Sequence, residues 1–298
     1  MADPVCVAPT GDICGEGAVW HASEDAVYWT DINRFLIHRY DAGNGNVKTW
    51  FFDEPVTALI LTTAPASLAV VLGSRLILWE PSSDSRRDYA FKLPGWPQVR
   101  CNDARADPRG SLWIGSMWNN VKPDGSPGDL ENGHGALYRI DPDLTVKEFR
   151  RGLGIANTLA WNPQQTAFYF ADTMANIIYQ YNYDAANSEI SNERPFFRDF
   201  GRGSPDGSAM DSEGFLWNCR YDGNCVVRVA PSGGIDRVIE MPTPNVTTCT
   251  FGGADLRTLY ITTAAAGAKP GNRFAGGLFT LRTETPGQAE NRFLLSGA

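Results

Sequence analysis

The chain is poor in the residues that carry several common chemistries. It has only three histidines, His21, His38 and His134. None lies four residues from another, which excludes a helix-borne zinc motif. Its six cysteines stand at 6, 14, 101, 219, 225 and 249, with no C-x-x-C pair. Scattered thiols in a chain this long predict reduced cysteines, not a disulfide framework or a zinc-thiolate centre. Cys219 and Cys225 are spaced to face each other across a hairpin, and two buried thiols are the expectation there. No run of Lys or Arg exists, and the net charge is -8 with a pI near 5.0. Nothing therefore neutralises phosphates, and nucleic acid is excluded as a partner.

Long apolar runs are missing too. Stretches such as Leu68 to Leu72 fall far short of the roughly 20 residues that span a bilayer as a helix. The opening Met1-Ala2-Asp3-Pro4-Val5-Cys6 has no basic segment followed by an apolar core. These absences predict a cytoplasmic protein with no membrane contact. Helical periodicity is not sustained over any long window, which disfavours alternating α/β architecture.

What is present is a repeat. The β-rich runs Val27-Tyr28-Trp29, Leu68-Ala69-Val70, Leu112-Trp113-Ile114, Phe168-Tyr169-Phe170, Phe215-Leu216-Trp217 and Leu259-Tyr260-Ile261 start 41, 44, 56, 47 and 44 residues apart. A period of about 45 residues is the signature of a four-stranded propeller blade. The long interval contains Asn119 to His134, whose Pro, Gly and Asp content predicts a surface insertion. Each run is followed by a second, such as Ile37-His38-Arg39-Tyr40 and Val226-Val227-Arg228-Val229, with turn sequences such as Asp41-Ala42-Gly43-Asn44-Gly45 and Pro231-Ser232-Gly233-Gly234 nearby.

With 43% hydrophobic and 20% charged residues the chain has a core of ample size. The prediction is all-β: a single domain over 1–298, a six-bladed β-propeller with four-stranded antiparallel blades around a central axis. The segment up to Asp12 is expected to close the ring by adding a strand to the last blade near Arg292-Phe293-Leu294-Leu295. Trp and Tyr in the strands are expected between blades as core. A closed ring has no edge that demands a partner, so a monomer or weak homo-oligomer is expected.

Four short polar motifs precede the runs by nine to eleven residues: Gly15-Glu16-Gly17, Arg100-Cys101-Asn102-Asp103, Ile155-Ala156-Asn157-Thr158 and Ser204-Pro205-Asp206-Gly207. Singly each is an ordinary turn or strand entry. Equivalent placement in four blades brings two carboxylates, Glu16 and Asp206, and two amides, Asn102 and Asn157, toward one axis. That set is hard and rich in oxygen, suited to a cation.

The Gly-Glu-Gly-Ala-Val-Trp opening, Tyr28-Trp29-Thr30-Asp31-Ile32, Arg100-Cys101-Asn102-Asp103, His134-Gly135-Ala136-Leu137-Tyr138, Pro205-Asp206-Gly207 and Cys249-Thr250-Phe251-Gly252-Gly253 resemble the regucalcin/gluconolactonase family of six-bladed propellers. The resemblance runs in order through nearly the whole chain. It implies a lactonase acting on a small-molecule sugar lactone, an aldonolactone, with one divalent metal ion: Ca²⁺, Zn²⁺, Mn²⁺, Mg²⁺ or Fe²⁺. It further implies that Glu16, Asn157 and Asp206 are the metal ligands, that Arg100, Asn102 and Glu131 contact substrate with Met117 in the pocket wall, and that Asp206 is also the catalytic base. The chain departs from the commoner pattern at Cys14, Ala104 and Thr158, changes of shape more than charge. A non-catalytic calcium-binding propeller and a hydrolase of other esters or organophosphates on the same fold remain as alternatives.

Overall fold

The computed structural model describes residues 3–296. Among these, six four-stranded antiparallel sheets account for nearly all regular structure, with a single 3-10 turn at Ala22–Glu24. A first strand β1 (Val5–Ala8) is followed by blade one, β2 (Gly15–His21), β3 (Ala26–Asp31), β4 (Leu36–Asp41) and β5 (Val47–Phe51). Blade two is β6 (Val56–Leu61), β7 (Leu68–Leu72), β8 (Arg75–Glu80) and β9 (Ser85–Lys92). Blade three is β10 (Val99–Ala106), β11 (Leu112–Trp118), β12 (Gly135–Ile140) and β13 (Val146–Leu153). Blade four is β14 (Ala156–Trp161), β15 (Ala167–Asp172), β16 (Ile177–Asp184) and β17 (Glu189–Phe197). Blade five is β18 (Ser204–Met210), β19 (Leu216–Tyr221), β20 (Cys225–Val229) and β21 (Ile235–Glu240). The last blade is β22 (Asn245–Gly252), β23 (Thr258–Ala264) and β24 (Leu278–Arg282), with β1 as its outer strand.

The repeated runs are thus the second strand of every blade, and the fold is a six-bladed β-propeller. Packing follows from their composition. The second strands are buried along their whole length in blades one to four, save only Trp118 at the end of β11, so both faces carry apolar or aromatic side chains that fill the gaps between neighbouring sheets. Trp29, Trp79, Trp113 and Trp217 are fully buried. Their indole N–H groups still need acceptors, and a turn aspartate supplies one. In Asp107-Pro-Arg-Gly-Ser-Leu-Trp113, Asp107 Oδ1 accepts the Ser111 N–H at 2.9 Å and Oδ2 accepts the Trp113 indole at 2.9 Å. Asp211 does the same for Phe215 and Trp217. One carboxylate therefore fixes both the tight turn and the core tryptophan above it.

Ring closure differs in one respect from the expectation. The N-terminal strand does complete the last blade, but β1 pairs with β24, Val5 opposite Thr280, and not with Arg292–Leu295. Residues 1 and 2 of that segment lie outside the described residues. The stretch 288–295 instead crosses the lower end of the ring: Gln288 N–H donates to Met210 O, Phe293 N–H to Leu61 O and Leu294 N–H to Gly110 O. It ties blades five, two and three together, and Glu290 meets Arg105 at 3.4 Å near the axis. With β1 already occupying the outer edge of the last blade, no edge is left there for it to join.

All six cysteines are free. Cys219 has Val226, not Cys225, as its register partner, and its thiol meets Cys249 of the next blade. Among the described residues no helix is long and apolar enough to cross a membrane.

Candidate active site

Each inner strand breaks register close to its upper end: between Glu16 and Val19, Cys101 and Ala104, Asn157 and Ala160, and Pro205 and Ser208. A bulge releases side chains from strict alternation and re-aims them. Asn102 and Asp206 lie inside their bulges, while Glu16 and Asn157 are the last paired residues before theirs. Each of the latter precedes a residue in the left-handed region, Gly17 at φ 59° and Thr158 at φ 55°. Blades two and six carry the same irregularity but fill it with Thr57, Thr247 and Thr248. Six bulges surround the axis, and the chemistry is placed on four of them.

Together these residues line a cavity of ≈ 370 Å³ at the mouth of the ring, with Glu16, Arg100, Asn102, Asn157 and Asp206 in its floor and walls. All five are buried. Asn102 is the hub: its carbonyl oxygen accepts from Arg100 Nη1 at 2.7 Å, and its amide donates to Asn157 Oδ1 at 2.8 Å and Ala156 O at 3.0 Å. Asn157 Nδ2 donates to Thr173 Oγ1 at 2.8 Å, and Thr173 donates to Pro205 O at 2.7 Å. A continuous hydrogen-bonded path thus runs from blade three through blade four to the residue before Asp206.

The two carboxyls meet. Asp206 hydrogen-bonds Glu16, and Glu16 Oε2 also accepts the Gly17 N–H at 2.8 Å. Burial first, then the charges of Asp206 and Asp103, hold the Glu16 carboxyl well above its ordinary range. Burial and Asp103 do the same to Asp206. Two buried like charges in contact disfavour their own ionisation, and among the described residues Arg100 is the only cationic side chain lining the cavity. Among the described residues no group of three His, Cys, Asp or Glu side chains is placed to hold a metal ion. The donor set at the mouth is of another kind, two carboxylates and the Asn157 amide oxygen.

Met117 is buried and lines the cavity. Glu131 does not line it: its side chain is 54% exposed and pairs with His134 Nε2 at 3.2 Å, while its neighbour Leu130 reaches the rim. The insertion bearing it folds back on itself through a bridge between Val121 and Pro127, and Gly125 O accepts from Asn33 Nδ2 of blade one at 2.8 Å. It therefore crosses from blade three toward blade one beside the mouth.

Asn120 and Tyr221 are among the lining residues that carry no signal in the motifs. Asn120 Oδ1 accepts from Arg100 Nε and Nη2, and Tyr221 closes the blade-five side. Asn120 stands at the start of an irregular insertion, where spacing says nothing. Tyr221 ends a second strand, where aromatic residues are core by default.

The sequence profile described as "SMP-30/Gluconolactonase/LRE-like region" matches residues 14–265. The chain is 32% identical to a 6-deoxy-6-sulfogluconolactonase of Pseudomonas putida, covering 97% of each chain. It is likewise 32% identical to a pentonolactonase of Haloferax volcanii, over 96% of each. Regucalcin of Homo sapiens is 29% identical over 93% of each. Among solved structures, a luciferin-regenerating enzyme superposes with a TM-score of 0.86 at 27% identity, covering 98% of this chain and 100% of that one. A match over most of the chain, with full-length relatives above 30% identity, makes this protein a member of the SMP-30/gluconolactonase/LRE-like family.

Proposed function

We propose that the protein hydrolyses a sugar-acid lactone, an aldonolactone, to the free aldonic acid. The observation that carries the proposal is the meeting of two buried carboxyls, Glu16 and Asp206, with a buried guanidinium and a ladder of carboxamides in one open mouth. The names of the full-length relatives, lactonases of sugar acids, support the same chemistry.

The residues fit a divalent cation. Among the described residues Arg100 is the only cationic side chain lining the cavity with Glu16 and Asp206, and these two carboxyls, giving up their proton to a bound cation, would form an all-oxygen donor set with Asn157 Oδ1. We assign Glu16, Asn157 and Asp206 as its ligands, and Ca²⁺, Mg²⁺, Mn²⁺, Zn²⁺ and Fe²⁺ all accept such oxygens. When bound, such a cation supplies Lewis acidity toward the lactone carbonyl.

Asp206 accepts a proton from the attacking water as the new C–O bond forms at the carbonyl carbon, and returns it to the ring oxygen as the ring C–O bond breaks. The product acid then ionises. Arg100, held in one orientation by Asn102, Asn120 and Cys101 O, donates to a carbonyl, ring or hydroxyl oxygen of the lactone. Asn102 holds Arg100 and Asn157 in register. Met117 supplies an apolar wall; a substrate contact by Glu131, which pairs with His134 outside the cavity, would require the insertion to bend over the mouth. Six free thiols suit the reducing cytoplasm.

The test is proton release from glucono-, galactono-, xylono- and arabinonolactones, with chelated protein and with each cation restored, read above the spontaneous rate. Turnover restored by a cation is the expected result. Cation binding without turnover of any lactone would point instead to a cation-binding protein.

A further inference from the structure

The polar groups around the mouth are mostly spent on one another. Asn102 uses both amide protons and its carbonyl oxygen, Asn157 bonds Asn102 and Thr173, and Thr173 bonds Pro205. Met117, Ile155 and Met174 between them offer no hydrogen bond. Ser204 Oγ and Asn120 Nδ2 keep some capacity, but a ring bearing several hydroxyls needs more partners than these two and Arg100 provide.

Tyr221 is different. It ends β19 opposite Ser204 in register, two residues before Asp206 on the facing strand, and its half-buried side chain lines the cavity. Among the described residues no hydrogen bond reaches its hydroxyl; the groups facing it are Cys14 and Asp206, which line the same cavity, and then Asp222. A phenol keeps its proton at neutral pH and so remains a donor. The backbone beneath it is fixed. The neighbouring Arg220 guanidinium, 1% exposed, donates to Arg202 O at 3.1 Å, Gly203 O at 2.6 Å and Asn176 Oδ1 at 2.7 Å. A hydroxyl on rigid strand, without a protein partner and beside the carboxyls, is preorganised for a ligand.

We infer that Tyr221 is a substrate-contacting residue whose hydroxyl donates a hydrogen bond to a ring or hydroxyl oxygen of a cyclic sugar derivative seated over Asp206. This rests on the lactonase reading for the class of ligand, and it adds a specificity contact on blade five facing Arg100 on blade three. Because the hydroxyl bonds nothing in the protein, Tyr221→Phe leaves the fold intact.

The experiment is calorimetric titration of the full chain, with saturating Mn²⁺, using 1,5-anhydro-D-glucitol, a cyclic polyol that has no carbonyl and cannot be hydrolysed. Y221F is expected to bind it about tenfold more weakly than the wild type, with Mn²⁺ affinity and melting temperature unchanged. Equal affinity in the two proteins, or no binding by the wild type, overturns the assignment. Lactone turnover is measured separately. If Y221F weakens ring binding while neither protein opens any lactone, the contact stands and the lactonase reading falls.

Discussion

Asn120 Oδ1 accepts two hydrogen bonds from the Arg100 side chain, 3.2 Å from Nε and 3.0 Å from Nη2. Among the described residues the guanidinium has no carboxylate partner at ion-pair distance, so its charge stays free for a ligand while its plane is fixed by neutral groups. Removing the amide by Asn120→Ala loosens that plane, leaving only Asn102 and Cys101 O on Nη1. Hydrogen bonds to a charged group contribute about 1.5–3 kcal/mol each. We expect KM for the best lactone to rise roughly tenfold or more, with cation affinity unchanged, as steady-state proton release and a cation titration will show.

Glu16 and Asp206 carry the pH dependence. Their native values lie above the ordinary 4.5 and 3.8, so the native state holds protons that the unfolded chain has already lost. Across the interval from those ordinary values up to the raised ones, rising pH makes the cation-free protein less stable. Glu16→Gln removes one of the two groups. Cation-free E16Q is therefore expected to melt above the wild type at neutral pH, with the gap closing toward pH 4. Added divalent cation is expected to reverse the order, because on the proposed assignment only the wild type keeps all three ligands. Melting curves at three pH values with and without cation decide the matter.

Thr158 is a β-branched residue at φ 55°, a conformation that ordinarily costs on the order of 1–3 kcal/mol. Its hydroxyl compensates by donating to Asp206 O and sharing a hydrogen bond with Ser208 Oγ at 2.9 Å. Valine would keep the strain and lose the bond; glycine would lose the bond and the strain together. The expected order of stability is Thr158, then Thr158→Gly, then Thr158→Val, with the valine variant about 2 kcal/mol below the wild type. Denaturant titration of the three proteins measures it.

Phe293 anchors the C-terminal crossing. It is fully buried against the core of blades two and three, and its ring meets that of Tyr89 edge-on with centroids 6.0 Å apart. Phe293→Ala is expected to cost about 3–5 kcal/mol, read as a shift of the denaturant midpoint. A loss below about 1 kcal/mol would mean that the crossing segment contributes little to holding the ring.

The floor of the mouth was legible residue by residue because Glu16, Asn102, Asn157 and Asp206 occupy equivalent points of a repeat, and a repeat converts sequence spacing into spatial convergence. Glu131 shows where that logic ends. It lies in an insertion with no repeat partner, and the structure turns it toward His134, away from the cavity. Asn120 and Tyr221 were invisible for complementary reasons: the first is in irregular backbone, and the second is an aromatic residue at a position where burial is the rule.

What the sequence determined by itself is the number of blades, the identity of their second strands and the ring of polar positions at their mouths. Period and alternation are local properties, and each blade repeats them. Tertiary structure alone decided which strand closes the last blade, where 288–295 lies, and which polar atoms remain unpaired at the mouth. Those outcomes depend on competition among distant segments for the same edges, grooves and hydrogen-bond acceptors. β1 and the C-terminal stretch both suit an edge, and only packing around the completed ring assigns that edge to β24 with Val5–Ala8 and sends Phe293 to Leu61.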